Sequence, residues 1–170
     1  MSFTKQAQTQ GALDIPMGGL GLTSPDKMIL QTFVGSCVAI CLYDPVAKVA
    51  GMAHVMLPQN NTKDEIPKPE GKFVDVAIKV LLEKLTASGA KQNRLKAKMA
   101  GGASVFQTEG NKNVFNIGTR NVDAIRAILG ENKIPIVSED VGEKGGRWVI
   151  FDVASQIMTI KDKAKGVTKI

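Results

Sequence analysis

Histidine, cysteine and aromatic residues are scarce in this chain of 170 residues, which holds one His, two Cys, one Trp and one Tyr, with aromatics only 5%. So few rings argue against a nucleic-acid module built on stacking platforms. Cys37 and Cys41 do not make a disulfide framework, and on an extended strand their spacing is too long for a bond between them. Long apolar runs are also missing: the longest, around Val38–Leu42, is far too short to span a bilayer. The opening stretch Met1–Gln10 is polar and carries Lys5 alone, so no signal peptide is expected. The expected setting is a reducing cytoplasm, where a cysteine is either catalytic or simply buried.

What is present suits one ordinary domain. Hydrophobic residues are 44% and charged residues 22%, enough for a real core without staples. With no internal repeat or low-complexity tract, the expectation is a single domain over 17–160, a flexible segment over 1–16 and a basic tail over 161–170. Lys+Arg number 22 against 16 Asp+Glu, a net charge of +6 that favours acidic protein partners and weakens with salt. Lys91, Arg94, Lys96 and Lys98 form one basic cluster, and Lys161, Lys163, Lys165 and Lys169 another. Both read first as solvated faces, and no nucleic-acid signature accompanies them.

Strand patterns cover 27–33, 38–43, 49–57, 96–99, 134–138, 148–153 and 157–160, and a short strand lies among the glycines of 18–21. Helical periodicity covers 73–88, with Lys79 and Glu83 spaced to pair and Gly89 as the stop, and 122–129, with Gly130 as the stop. Between them, 58–72 is a Pro- and amide-rich exposed loop of the length used for lids or binding elements. The order predicts an α/β fold: a single-domain layered sandwich with a mostly antiparallel or mixed sheet flanked by helices. Gly101-Gly102-Ala103-Ser104 lacks the ending of a phosphate loop and reads as a strand-to-helix connection.

The Asp44-Pro45 turn supports a register argument. If residues 44–47 make the reversal, Tyr43 faces Lys48, Cys41 faces Ala50, Ala39 faces Met52 and Cys37 faces His54. Direct partners have Cβ atoms roughly 4.5–5.5 Å apart, so thiol and imidazole would meet. An imidazole that accepts the thiol proton yields the nucleophilic thiolate, and Gly35-Ser36 lets local N–H groups turn toward an oxyanion. The same residues also fit a small core thiol and a satisfied core histidine. A metal site on Cys37, Cys41 and His54 is disfavoured, because strand residues four apart lie roughly 13 Å from one another. A fourth ligand is missing too, and no cofactor is expected.

Two blocks, Thr32-Phe33-Val34-Gly35-Ser36-Cys37-Val38-Ala39-Ile40-Cys41-Leu42-Tyr43-Asp44-Pro45 and Gly51-Met52-Ala53-His54-Val55-Met56-Leu57-Pro58, closely resemble the signature of the CheD family of chemoreceptor glutamine deamidases. Downstream, Lys98–Ala103, Asn116–Asn121, Asp140–Gly142 and Gly146-Arg147 follow in the family's order, so the resemblance runs from about Gly18 to Ile160. Glu143-Lys144 departs from it where members tend to carry a second glycine. The resemblance implies an α/β sandwich distantly similar to deamidating toxin catalytic domains. It makes Cys37 the nucleophile, His54 the base, Thr32 the group that orients His54, and Gly35 and Ser36 the backbone support. The implied reaction is conversion of receptor glutamines to glutamate through a γ-glutamyl thioester, with receptor methyl esters as further substrates. The implied partners are the helical cytoplasmic region of a chemoreceptor and, in some members, a CheC-type phosphatase, for which Phe106 is a candidate contact. The alternative is a non-catalytic interaction module that regulates such a phosphatase.

Overall fold

A computed structural model describes residues 11–104 and 116–170. The chain builds β1 (Ala12–Asp14), β2 (Leu20–Leu22), β3 (Ile29–Val34), β4 (Val38–Asp44) and β5 (Val49–Val55), then α1 (Val74–Ala87) and β6 (Lys96–Gly101). After α2 (Ile117–Glu131) come β7 (Ile136–Val141), β8 (Arg147–Asp152), β9 (Ile157–Asp162) and β10 (Gly166–Lys169). These strands form two five-stranded sheets, ordered β1-β3-β8-β9-β10 and β2-β5-β4-β6-β7.

β4 explains the layering. It is the central strand of the second sheet, and all seven of its residues are buried. Its side chains alternate between two cores, as the strand pleat requires. Val38, Ile40 and Leu42 pack with α1 and α2, among them Ile78, Leu81, Ile125 and Leu129. Ala39, Cys41 and Tyr43 pack against the first sheet, meeting Leu30, Val149, Phe151 and Met158. The molecule is therefore a three-layer stack of helices, sheet and sheet. The α/β layered class predicted from sequence stands, with one refinement: helices cover one face of the central sheet and a second sheet covers the other. A continuous apolar run such as Val-Ala-Ile-Cys-Leu-Tyr is what a strand buried on both faces needs.

Several local expectations change in three dimensions. β1 and β10, in stretches assigned from sequence to the two flexible or basic ends, are edge strands of the first sheet. α2 starts at Ile117, well before Val122, and continues through Gly130 to Glu131. Lys79 pairs with Glu65 across 3.2 Å, not with Glu83, because the 58–72 loop folds back along α1. The first basic cluster is a solvated face only in part, at exposed Lys91 and Lys96. Arg94 is bound to Asp44 at 2.9 Å, and buried Lys98 donates to the carbonyls of Gln156 and Ile170 at 2.6 and 2.9 Å. No helix among the described residues is long and apolar enough to cross a membrane.

The β4–β5 register also differs from the expected one. Asp44 stays in the strand opposite Val49, and the loop is 45–48. The Asp44 carboxylate accepts the N–H groups of Val46 and Ala47 at 2.9 and 3.1 Å, and Lys48, at φ 56°, donates its N–H to the Asp44 carbonyl. Burial alone would raise the Asp44 pKa, but Arg94 and the N–H groups of Lys91, Ala47 and Val46 hold it well below the usual carboxylate range. Anchoring the turn on Asp44 moves every pair by two positions. Ala39, not Cys37, lies opposite His54. An even shift leaves each side chain on its predicted face.

Candidate active site

His54 occupies the next-to-last position of β5 on the face shared with Ala50 and Met52, between the two sheets. Thr32 approaches from the other sheet, on the face of β3 that also carries Leu30 and Val34. The two meet in the buried layer with Thr32 Oγ1 and His54 Nδ1 2.8 Å apart. Thr32 also donates its hydroxyl proton to the Ile15 carbonyl at 2.8 Å. A hydroxyl has one proton to give, so Thr32 must accept from His54, and the imidazole carries its proton on Nδ1. Nε2 is then the lone-pair nitrogen. It is buried and has no hydrogen-bond partner among the described residues.

Cys37 is the last residue of the Gly35–Cys37 bend, which carries the chain from β3 in one sheet to β4 in the other. Its side chain is half-buried and packs against the inter-sheet core, the layer that holds His54. As the residue two before Ala39, it is a diagonal neighbour of His54, a separation roughly 7–8 Å in a regular ladder. The bend is gripped from behind: Gly102 donates its N–H to the Cys37 carbonyl and Ala103 to the Gly35 carbonyl, both at 2.9 Å. Gly101, at φ 119°, lies so close that a β-carbon there would clash with the Cys37 carbonyl. Among the described residues, none of the N–H groups of Gly35, Ser36 and Cys37 donates a backbone hydrogen bond.

Burial sets the protonation of both groups. It pushes the Cys37 thiol up from its ordinary value and draws His54 down to about 4. The resting pair is therefore a neutral thiol and a neutral imidazole, not a preformed ion pair. Cys41 is fully buried, its thiol pushed far up by burial against a smaller opposing pull from Lys98.

Further residues shape the site around Thr32, Cys37 and His54. Gly18 and Gly19 bracket the His54 backbone, the first donating to its carbonyl at 3.1 Å and the second accepting its N–H at 2.9 Å. Fully buried Arg147 donates to the carbonyl and carboxylate of Asp140 at 2.9 and 2.7 Å and to the carbonyl of Gly142. Gly142 in turn donates to Gly101 at 2.9 Å, and Ser104 to Glu143 at 2.7 Å, so Arg147 braces the wall behind Cys37. The sequence marked Gly101-Gly102 and Gly146-Arg147, but nothing in it singled out the Ile15 carbonyl. Phe106 lies outside the described residues.

Among the described residues, a three-layer α/β/β fold whose inter-sheet layer holds a buried, hydrogen-bonded histidine and is bordered by a half-buried thiol defines an α/β protein with a candidate thiol–imidazole site. The chain belongs to the CheD family, described as CheD chemotactic sensory transduction, whose match covers residues 56–162. It is 42% identical over 156 residues, 92% of this chain and 96% of the relative, to the chemoreceptor glutamine deamidase CheD of Halalkalibacterium halodurans. To probable chemoreceptor glutamine deamidases CheD it is 39% identical in both Clostridium novyi, over 92% of this chain and 96% of that one, and Clostridium botulinum, over 94% and 95%. Among solved structures, Bacillus licheniformis hypothetical protein YfiH aligns with TM-score 0.47 at 12% identity, covering 74% of this chain and 51% of that one. The family match starts after His54, whereas the alignments to the relatives are long enough to cross Thr32, Cys37 and His54.

Proposed function

We propose that this protein is a cysteine-dependent deamidase of chemoreceptor glutamines, with Cys37 as nucleophile, His54 as general base and acid, and Thr32 as the residue that orients His54. The observation that carries the reading is the buried Ile15–Thr32–His54 relay, which leaves a lone pair on Nε2 in the layer that Cys37 borders. Orienting one imidazole nitrogen so that the other serves as base is the triad arrangement in general form. The relatives named as chemoreceptor glutamine deamidases support the substrate.

The chemistry then follows. His54 Nε2 takes the Cys37 proton as sulfur attacks the glutamine carboxamide, and the thiolate and imidazolium stabilise one another while they exist. N–H groups of the Gly35–Cys37 bend donate to the developing oxyanion. The C–N bond breaks, His54 returns its proton to the leaving ammonia, and a γ-glutamyl thioester remains. Water, deprotonated by His54, attacks that carbonyl to release glutamate and restore the thiol. A glutamate γ-methyl ester would give the same thioester with methanol as the leaving group. This reading assigns the protein to the cytoplasm, with the receptor's helical region as substrate.

The test is to incubate the protein with a receptor cytoplasmic fragment and follow amide-to-acid conversion at glutamines by mass spectrometry. Conversion is expected with the wild type and is lost in Cys37→Ala and His54→Ala. Wild-type conversion rates in either variant would overturn the site. An intact protein that binds receptor or a CheC-type phosphatase without deamidating would instead be an interaction module.

A further inference from the structure

Beside the candidate active site lies a cleft of about 510 Å³ lined by Leu57, Pro58, Gln59, Asn60, Asn61, Ile117 and Arg120. Neither it nor the adjoining cavity of about 400 Å³ is lined by Cys37, His54 or Thr32, so it is a neighbour of the reacting groups and not their container. Both of its walls descend from the site. One is the chain that leaves β5 after Val55, reaching the cleft at Leu57. The other is the start of α2, where Gly118 lies so close to Gly102 that a β-carbon there would clash with the Gly102 carbonyl; the Gly102 N–H in turn holds Cys37. Buried Asn121 ties the walls together by donating to the Met56 carbonyl at 3.0 Å.

The lining of this cleft holds one cation, three amides and no acid. Arg120 is exposed, and among the described residues its guanidinium makes no ion pair or hydrogen bond. The 58–72 loop that forms the opposite wall is held in shape, with the Asn60 N–H donating to Asp75 at 3.0 Å and its side-chain amide to the Asp64 carbonyl at 2.8 Å. The adjoining cavity shares Pro58, Gln59 and Arg120 but adds Asp75 and Asp123. Asp75 and Asp123 thus line the adjoining cavity and not this cleft, whose charged lining residue is Arg120.

From this geometry we infer that the cleft is a specificity subsite for the protein substrate, in which Arg120 pairs with a carboxylate flanking the target glutamine. The inference rests on the deamidase reading and adds a requirement to it: sequence context on the substrate is read by charge. A guanidinium presents a planar fork suited to a carboxylate, and the Gln59 and Asn61 amides beside it can complete the oxygen's hydrogen bonds.

The test uses a Cys37→Ala background, so that binding is read without turnover. The dissociation constant of a receptor cytoplasmic fragment is compared with that of a version whose carboxylates flanking the target glutamine are replaced by alanine. Each is titrated against protein with Arg120 intact and with Arg120→Gln. Removing either partner should weaken binding about fivefold, the upper range for an exposed pair, and removing both should weaken it no further. Arg120→Lys should recover part of the loss. Fully additive effects, or an Arg120→Gln protein that still prefers the acidic fragment, would overturn the subsite. Failure of the unmutated protein to deamidate the fragment overturns the function instead, and leaves the binding pattern to be judged separately.

Discussion

Thr32 has two obligations at one oxygen, to Ile15 and to His54, and the geometry depends on both. Thr32→Val removes the acceptor for His54 Nδ1–H and frees the ring to turn. We expect kcat for deamidation to fall by about 10- to 100-fold, the usual range for a lost orienting partner, with KM little changed. Thr32→Ser keeps the hydroxyl and should restore most of the rate. His54 also links stability to acid. Its folded pKa of about 4 lies below the ordinary 6.5, so the unfolded chain binds the proton more readily. The stabilising contribution is complete above pH 6.5 and is lost as the pH falls toward 4. Between pH 7 and pH 4 this group alone should remove about 3 kcal/mol. Urea unfolding across that range should therefore show a steeper decline for the wild type than for His54→Gln. For Cys37, a thiol pushed up by burial predicts slow alkylation by iodoacetamide at pH 7 that accelerates through pH 9, with Cys41 unlabelled throughout. A rate already at its plateau at pH 6 would mean that a thiolate–imidazolium pair is preformed.

Among the elements, the β3–β4 crossover and the end of β6 matter most to the site. Cys37 is held by its carbonyl, so the strand end that receives that carbonyl determines where the sulfur sits. Gly101 has φ 119°, and a β-carbon there would meet Val34 Cγ2 at 2.9 Å as well as the Cys37 carbonyl. Gly101→Ala should cost about 2 kcal/mol or more and abolish turnover, as read by chemical denaturation and the deamidation assay. Gly130 is the contrast. It lies within α2 with nothing within 4 Å of its added β-carbon, so Gly130→Ala should gain up to about 1 kcal/mol in helix propensity. The pair of variants separates an architectural glycine from an incidental one. The β4–β5 hairpin teaches a related lesson. Its turn chemistry is local, yet the length of the loop depended on Asp44 also binding Arg94 and the Lys91 N–H from elsewhere in the chain.

At the scale of the molecule, the three layers bring residues from two sheets to one end of the inter-sheet core. Thr32 and His54 belong to different sheets and could not be paired by any argument confined to one hairpin. The net charge of +6 also reads differently in three dimensions, since Arg94 and Lys98 are committed to internal partners. The remaining exposed lysines still favour an acidic substrate. KM for a receptor fragment should rise with ionic strength while kcat stays level, and a kcat that falls with salt would point to a disturbed site instead.

One histidine and two cysteines single out Cys37 and His54 as the candidate thiol–imidazole pair, and the apolar run of 38–43 marked a strand, which the structure buries on both faces. The alternation of β4 and β5 placed both residues toward one layer even with the register displaced by two. Those properties are local: they depend on residue type, strand period and turn chemistry. The orientation of His54 is not local. It needed a hydroxyl from the opposite sheet, a main-chain carbonyl at Ile15 that any residue could have supplied, and the glycine contact that seats the Cys37 bend. Composition and periodicity carry no record of such contacts, because each joins atoms far apart in the chain through backbone groups common to every residue. The sequence by itself thus determined which groups could react, and the stacking of the two sheets decided which way they face.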